Sequence, residues 1–269
     1  MKTIRRLAAV VVCGCISISF SFAAHADEPA PEPVRVHIVE GMWSQHQKLP
    51  EALLALPGRF KVTESTLSSR YGFVCALKGF PLQKEELFKN QVLILANIPA
   101  DAFPREGSWS NMHEVQGRSV DWVEEFVRAG GGVFVLGGNY SLGTGGKIKG
   151  TAFEKFLPAD VHENDIDFKM QNVPVQLVPV GQHAILQGLS WQQKPITLFY
   201  HDVKPRPDAT VVIKAGDAPI MILGHYGKGK VALFTATLHG DPAKGLVPHW
   251  EWESWKRLVQ NTVGWLAAK

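Results

Sequence analysis

The sequence predicts an α/β fold: a mostly parallel sheet with helices on both faces, followed by an antiparallel C-terminal extension. Three observations predict it. Between Val34 and Leu136, strand-like and helix-like runs alternate, which favours right-handed crossovers and parallel pairing. The runs Gln91–Ala96 and Val133–Leu136 are apolar throughout, as in strands buried on both faces. After Pro158 the texture changes: Ala209–Lys214, Pro219–Tyr226 and Lys230–Thr237 follow one another across short turns with no room for helices, so they pair antiparallel.

In chain order, Lys2, Arg5 and Arg6 precede an apolar run from Leu7 to Phe22 and the small-x-small triplet Ala24-His25-Ala26. This is the pattern of a secretory signal peptide over residues 1–26, and the run is diluted by Ser and Gly and short for a membrane span. The expected mature chain is exported to the periplasm or the extracellular space with no stable membrane span. A lipoprotein reading through Cys13 or Cys15 fits the residues before them less well. Cleavage removes three cations and no acid, so the net charge of +3 becomes zero, and the pI near 8.7 belongs mostly to the leader. No basic stripe remains to attract nucleic acid or an acidic membrane surface. Of three cysteines only Cys75 survives cleavage, so the mature chain has no internal disulfide. A lone buried thiol is its plain reading, and the core must come from apolar burial, which a 45% hydrophobic composition supplies.

Residues 27–33, Asp-Glu-Pro-Ala-Pro-Glu-Pro, form a proline-rich tether before a single domain over 34–269. Val34–Val39 alternates and is the first strand; Leu49–Leu56 has helical spacing and stops at Pro57-Gly58. Phe60–Thr66 is the second strand, Leu82–Phe88 a short helix and Gln91–Ala96 the third strand. The less regular Ala100–Gln116, with Trp109 and His113, is placed to cover a crevice. Ser119 caps a helix to Arg128 whose inward stripe is Val120, Val123, Phe126 and Val127, and Gly130-Gly131-Gly132 ends it before strand Val133–Leu136. Val173–Val180 begins the later strands, and Trp250–Leu266 closes the chain as an amphipathic helix.

Ligands of open α/β sheets bind beyond the carboxyl ends of the strands, which directs attention to the glycine-rich loop 137–150. Gly137, Gly138, Asn139, Tyr140 and Gly143 could present backbone amides to an anion or oxyanion; a purely structural loop is the plainer reading. The phosphate-loop and dinucleotide patterns are absent, and Asn139 stands where the first glycine of a Gly-x-Ser-x-Gly elbow around Ser141 belongs. Late in the chain, His239 with Asp241 two residues on could act as base and orienter, or form a polar loop. His249 is near in sequence, but the spacing matches no metal signature, and the pair His201-Asp202 has a weaker case. No cofactor motif is present. Trp109 and Trp250 are candidate stacking surfaces for a carbohydrate or an envelope protein, although tryptophans spaced like 250, 252 and 255 more often pack a helix onto a sheet.

The run from Glu124 through Gly146, the segment Gly150–Pro158, His183–Leu189, the Tyr226–Thr235 hairpin and the Trp265-Leu266 end together resemble the putative glutamine amidotransferase family, a branch of the class I glutamine amidotransferase-like superfamily. The resemblance covers roughly Val34 to Leu266 and implies a flavodoxin-like three-layer sandwich. It also implies a cysteine nucleophile on the turn after strand Val133–Leu136 and a late His-x-Glu pair. Here the nucleophile position holds Gly137 or Gly138, and the late pair is matched by His239-Gly240-Asp241. The expectation is therefore an exported amidotransferase-like domain without glutaminase activity that acts as a binding or accessory module for a small molecule, a carbohydrate or an envelope protein. The alternative is a cell-envelope hydrolase using Ser141 or an activated water with His239 and Asp241.

Overall fold

The computed structural model describes residues 31–70, 73–106, 118–161 and 169–269. The expected leader, most of the tether, and Trp109 and His113 lie outside these residues. Strand β1 (Val34–Glu40) leads through a 3-10 turn, Ser44–Gln47, and helix α1 (Leu49–Leu54) to β2 (Phe60–Arg70). The chain continues through β3 (Phe73–Lys78), α2 (Lys84–Leu87), β4 (Val92–Ala96), α3 (Ser119–Ala129) and β5 (Gly132–Leu136). Two short helices follow, α4 (Gly143–Gly146) and α5 (Ala152–Phe156), then β6 (Ala159–Val161), β7 (Lys169–Pro179), β8 (Ile196–Tyr200) and β9 (Val203–Pro205). Strands β10 (Thr210–Ala215), β11 (Ala218–Tyr226) and β12 (Gly229–Phe234) lead to α6 (Trp255–Ala267).

Ten strands make one sheet in the order β3-β2-β1-β4-β5-β12-β11-β10-β7-β8, and β6 pairs with β9 separately. The expected mostly parallel sheet is corrected: β1–β2, β1–β4, β4–β5 and β5–β12 are parallel, while the other five neighbouring pairs are antiparallel. Two causes account for this. Strand β2 runs past the expected Thr66 and folds into β3 as an edge hairpin. The antiparallel strands are also no separate extension, because β12 lies directly beside β5 and continues the same sheet.

Helices flank the sheet, and the alternation of side chains along the strands divides the interior. Val36, Ile38, Phe134 and Phe234 pack in one cluster with residues of α1 and α6; Val39, Leu93, Val135 and Leu233 pack in another with residues of α3 and α5. Within α3 the predicted stripe Val120, Val123, Phe126 and Val127 is buried, and Gly130 ends the helix with φ 119°. Ser119 is not the cap: Arg118 holds that position, and the Ser119 hydroxyl donates to the Pro104 carbonyl at 2.6 Å. Glu124, expected merely mid-helix, is buried and accepts from the Tyr226 hydroxyl at 2.6 Å and from Arg128 and Lys155. The last helix starts five residues later than expected, after a 3-10 turn over His249–Glu251, so Trp250 lies outside it.

The antiparallel half curls back on itself. Beyond β8, Tyr200 bridges to Ala236, the His201 amide donates to the Thr235 carbonyl at 3.0 Å, and the Thr237 amide to the Phe199 carbonyl at 3.0 Å. This return brings the end of β8 to the segment directly after β12, at the carboxyl end of the parallel strands.

Candidate functional site at the carboxyl ends of the parallel strands

Sheet order reverses at β1, with β2 on one side and β4 on the other, so the crevice rule points first to the ends of β1 and β4. There Asn97, in the left-handed region at φ 51°, is buried and fully engaged. Its Nδ2 donates to the Met42 carbonyl and its Oδ1 accepts from the Tyr140 amide, both at 2.6 Å. One side chain thus ties the end of β1 to the glycine loop after β5.

That loop leaves no space for a nucleophile at its start. A Cβ on Gly137 would stand 2.6 Å from the Ala236 carbonyl oxygen and 2.7 Å from that of Thr235; a Cβ on Gly138 would stand 2.2 Å from Asn97 Cγ. Close backbone approach, rather than a turn requirement, fixes glycine at both positions. The amides are also largely used within the protein. Gly137 N donates to Phe234 O, Tyr140 N to Asn97, Ser141 N to Gly138 O and Gly150 N to Glu154. Gly143 opens the one-turn helix α4, and Asn139 Oδ1 is buried without a hydrogen-bond partner.

Ser141 is buried and meets a histidine, but that histidine is His201 and not His239. Ser141 Oγ lies 3.3 Å from His201 Nε2 and 3.2 Å from the Gly138 carbonyl, while His201 Nε2 lies 2.9 Å from that carbonyl and 3.3 Å from the Gly138 amide. In either tautomer His201 Nε2 is held by Gly138, donating to its carbonyl or accepting from its amide, and Ser141 Oγ donates to the same carbonyl, so the pair acts as a clamp on Gly138.

His239 stands apart from this clamp, half-buried on the segment after β12. Its Nδ1 is 3.3 Å from Thr237 Oγ1, its ring meets Trp43 and Phe199 edge-on, and burial lowers its pKa. Asp241 is exposed nearby, and the two share a hollow of about 260 Å³ with Trp43 and His46. His249 is wholly buried against Phe234, Trp250 and Trp255, and burial pushes its pKa down to about 3. Among the described residues no group of three or more His, Cys, Asp or Glu is placed to hold a metal ion. Trp252 and Trp255 are core residues, whereas Trp250 is partly exposed and lines a second hollow of about 380 Å³. Trp43, His46 and Asn97 carry no site signal in the sequence, and His201 carries only the weaker one of its pair with Asp202. The crevice rule applied to the first strand points to Trp43 and His46.

The fold is shared with solved structures. Two proteins from Salmonella typhimurium, described as the cytoplasmic proteins STM3548 and STM1381, superpose with TM-scores of 0.70 at 20% identity. They cover 88% and 87% of this chain and 100% and 99% of their own. A protein of Parabacteroides merdae described as ThuA-like superposes at a TM-score of 0.54 with 14% identity, over 88% of this chain and 90% of its own. No curated protein matches the sequence. A family model described as "Putative glutamine amidotransferase" matches residues 62–268. With most of its length matched, the chain belongs to this glutamine amidotransferase-like family.

Proposed function

We propose that the chain is an exported member of this family that binds a ligand without hydrolysing glutamine, its parallel half serving as a flavodoxin-like scaffold. The single observation behind the missing activity is steric. At the turn where a cysteine would attack an amide, Gly137 and Gly138 abut Thr235, Ala236 and Asn97 so closely that no side chain fits. Export rests on the leader pattern of residues 1–26, and the ligand is a small molecule, a carbohydrate or an envelope protein. The hydrolase alternative finds less support, since the Ser141 hydroxyl bonds to His201 and Gly138 rather than to His239.

The test is ammonia release from glutamine by the purified protein, followed by coupled assay. No turnover above buffer is expected; turnover that disappears in His239→Ala overturns the reading. Export is checked separately by fractionation. A mature chain beginning at Asp27 in the periplasm or medium is expected, and an uncleaved chain retained in the cytoplasm contradicts it.

A further inference from the structure

We infer that the two hollows flanking His46 form one groove for a neutral, hydroxyl-rich ring compound, a sugar or the end of a glycan. This inference rests on the reading of the chain as a binding module and names what the module holds.

The first support is the strained turn at the end of β1. Trp43 at φ 60° and Lys48 at φ 49° both occupy the left-handed region, which costs a bulky residue roughly 1–3 kcal/mol and persists only where the surroundings enforce it. Here they do. Ser44 Oγ donates to the Gly41 carbonyl at 2.9 Å, Asn97 holds the Met42 carbonyl, and Trp255 Nε1 donates to the Gln47 carbonyl at 2.8 Å. The result is an indole 44% exposed, the one aromatic among the large exposed hydrophobic side chains of the described residues. It stands at the strand where sheet order reverses.

The second support is what surrounds that indole. His46 lines both hollows, so the one containing Trp43, His239 and Asp241 adjoins the one containing Trp250. Each half therefore has an indole wall for the apolar C–H face of a pyranose, with polar groups at the rim for its hydroxyls. Charge gives an anion no hold in the first half, where among the described lining residues Asp241 stands with no lysine or arginine, and is balanced in the second, where Lys48 and Lys256 offset Glu251 and Glu253. Neutral imidazoles both donate and accept, as sugar hydroxyls do.

The experiment is a titration of the full chain with cellobiose, glucose, glucosamine and glucuronate, followed by tryptophan fluorescence and by calorimetry. Saturable binding of a neutral sugar with a Kd on the order of 1 mM or tighter is expected, with glucuronate at least about tenfold weaker. Trp43→Ala is expected to weaken binding about tenfold. Asp241→Asn, at an exposed position that leaves folding intact, is expected to weaken it several-fold. Three results overturn the inference: no saturation by either neutral sugar up to about ten times that concentration, preference for glucosamine or glucuronate, or neutral-sugar binding unchanged in both variants. Glutamine turnover in the same preparation would overturn the inactive reading and leave the groove standing. Absence of both turnover and sugar binding would overturn the groove alone.

Discussion

The crevice has two rims of opposite character. After β5, the glycine loop is closed: Asn97 plugs it, His201 and Ser141 both grip Gly138, and its first two positions admit no side chain. After β1 and β12, the turn carrying Trp43 and the segment carrying His239 and Asp241 enclose a hollow. The contrast teaches that glycine richness and ligand access are different properties. Glycines mark close backbone approach, and here that approach is made by the protein itself.

Four experiments press on this contrast. The largest effect is expected from Gly138→Cys, which puts a thiol at one of the two positions where the resemblance implies a nucleophile. Driving Cβ into the Asn97 side chain should cost about 3 kcal/mol, lowering the melting temperature by roughly 6–12 °C, with no glutaminase activity gained. A melting temperature within a degree of the parent would show that the rim is not closed. Next comes Asn97→Ala, which strands the Tyr140 amide and the Met42 carbonyl and should cost about 2 kcal/mol in urea unfolding. Asn97→Asp keeps the acceptor for Tyr140 and should cost less.

The third concerns the wall behind the open rim. Burial holds the folded pKa of His249 at about 3, below an unfolded value near 6.5, so the unfolded chain takes up a proton that the folded chain refuses. Its contribution is complete above pH 6.5 and is lost as pH falls toward 3. Between about pH 6.5 and 5 that loss is about 2 kcal/mol, and urea midpoints of His249→Phe should fall less over this window than those of the parent. The decline that remains would include His37, whose pKa burial lowers to about 4. Equal declines in the two proteins would place the His249 ring in contact with water. The smallest effect is expected from Trp43→Gly, which relieves the left-handed strain and should stabilise by about 1 kcal/mol while removing the open rim's indole.

Much of this architecture is legible in the sequence where the signal is local. The apolar runs at β4 and β5, the stripe on α3 with its glycine stop, and the close spacing of β10, β11 and β12 all have the predicted character. What escapes is non-local. Nothing in Ile196–Tyr200 announces that its end returns to Ala236, and without that return His201 reads as an isolated histidine rather than the partner of Ser141. His239 is legible as a residue delivered at a strand end, yet its neighbour Trp43 lies far back in the chain and reaches it only through a positive φ. Alternation predicts parallel pairing well, but it cannot show that a hairpin-linked group will join the same sheet.

The tie between the first turn and the last helix has a consequence for timing. Trp255 Nε1 holds the Gln47 carbonyl and Gln260 Nε2 holds the Ala52 carbonyl, each across 208 residues of chain. A ribosome must therefore synthesise through Gln260 before the turn bearing Trp43 can be fastened. The nascent chain stays without this fastened turn during synthesis, and the turn is set late, with the last helix.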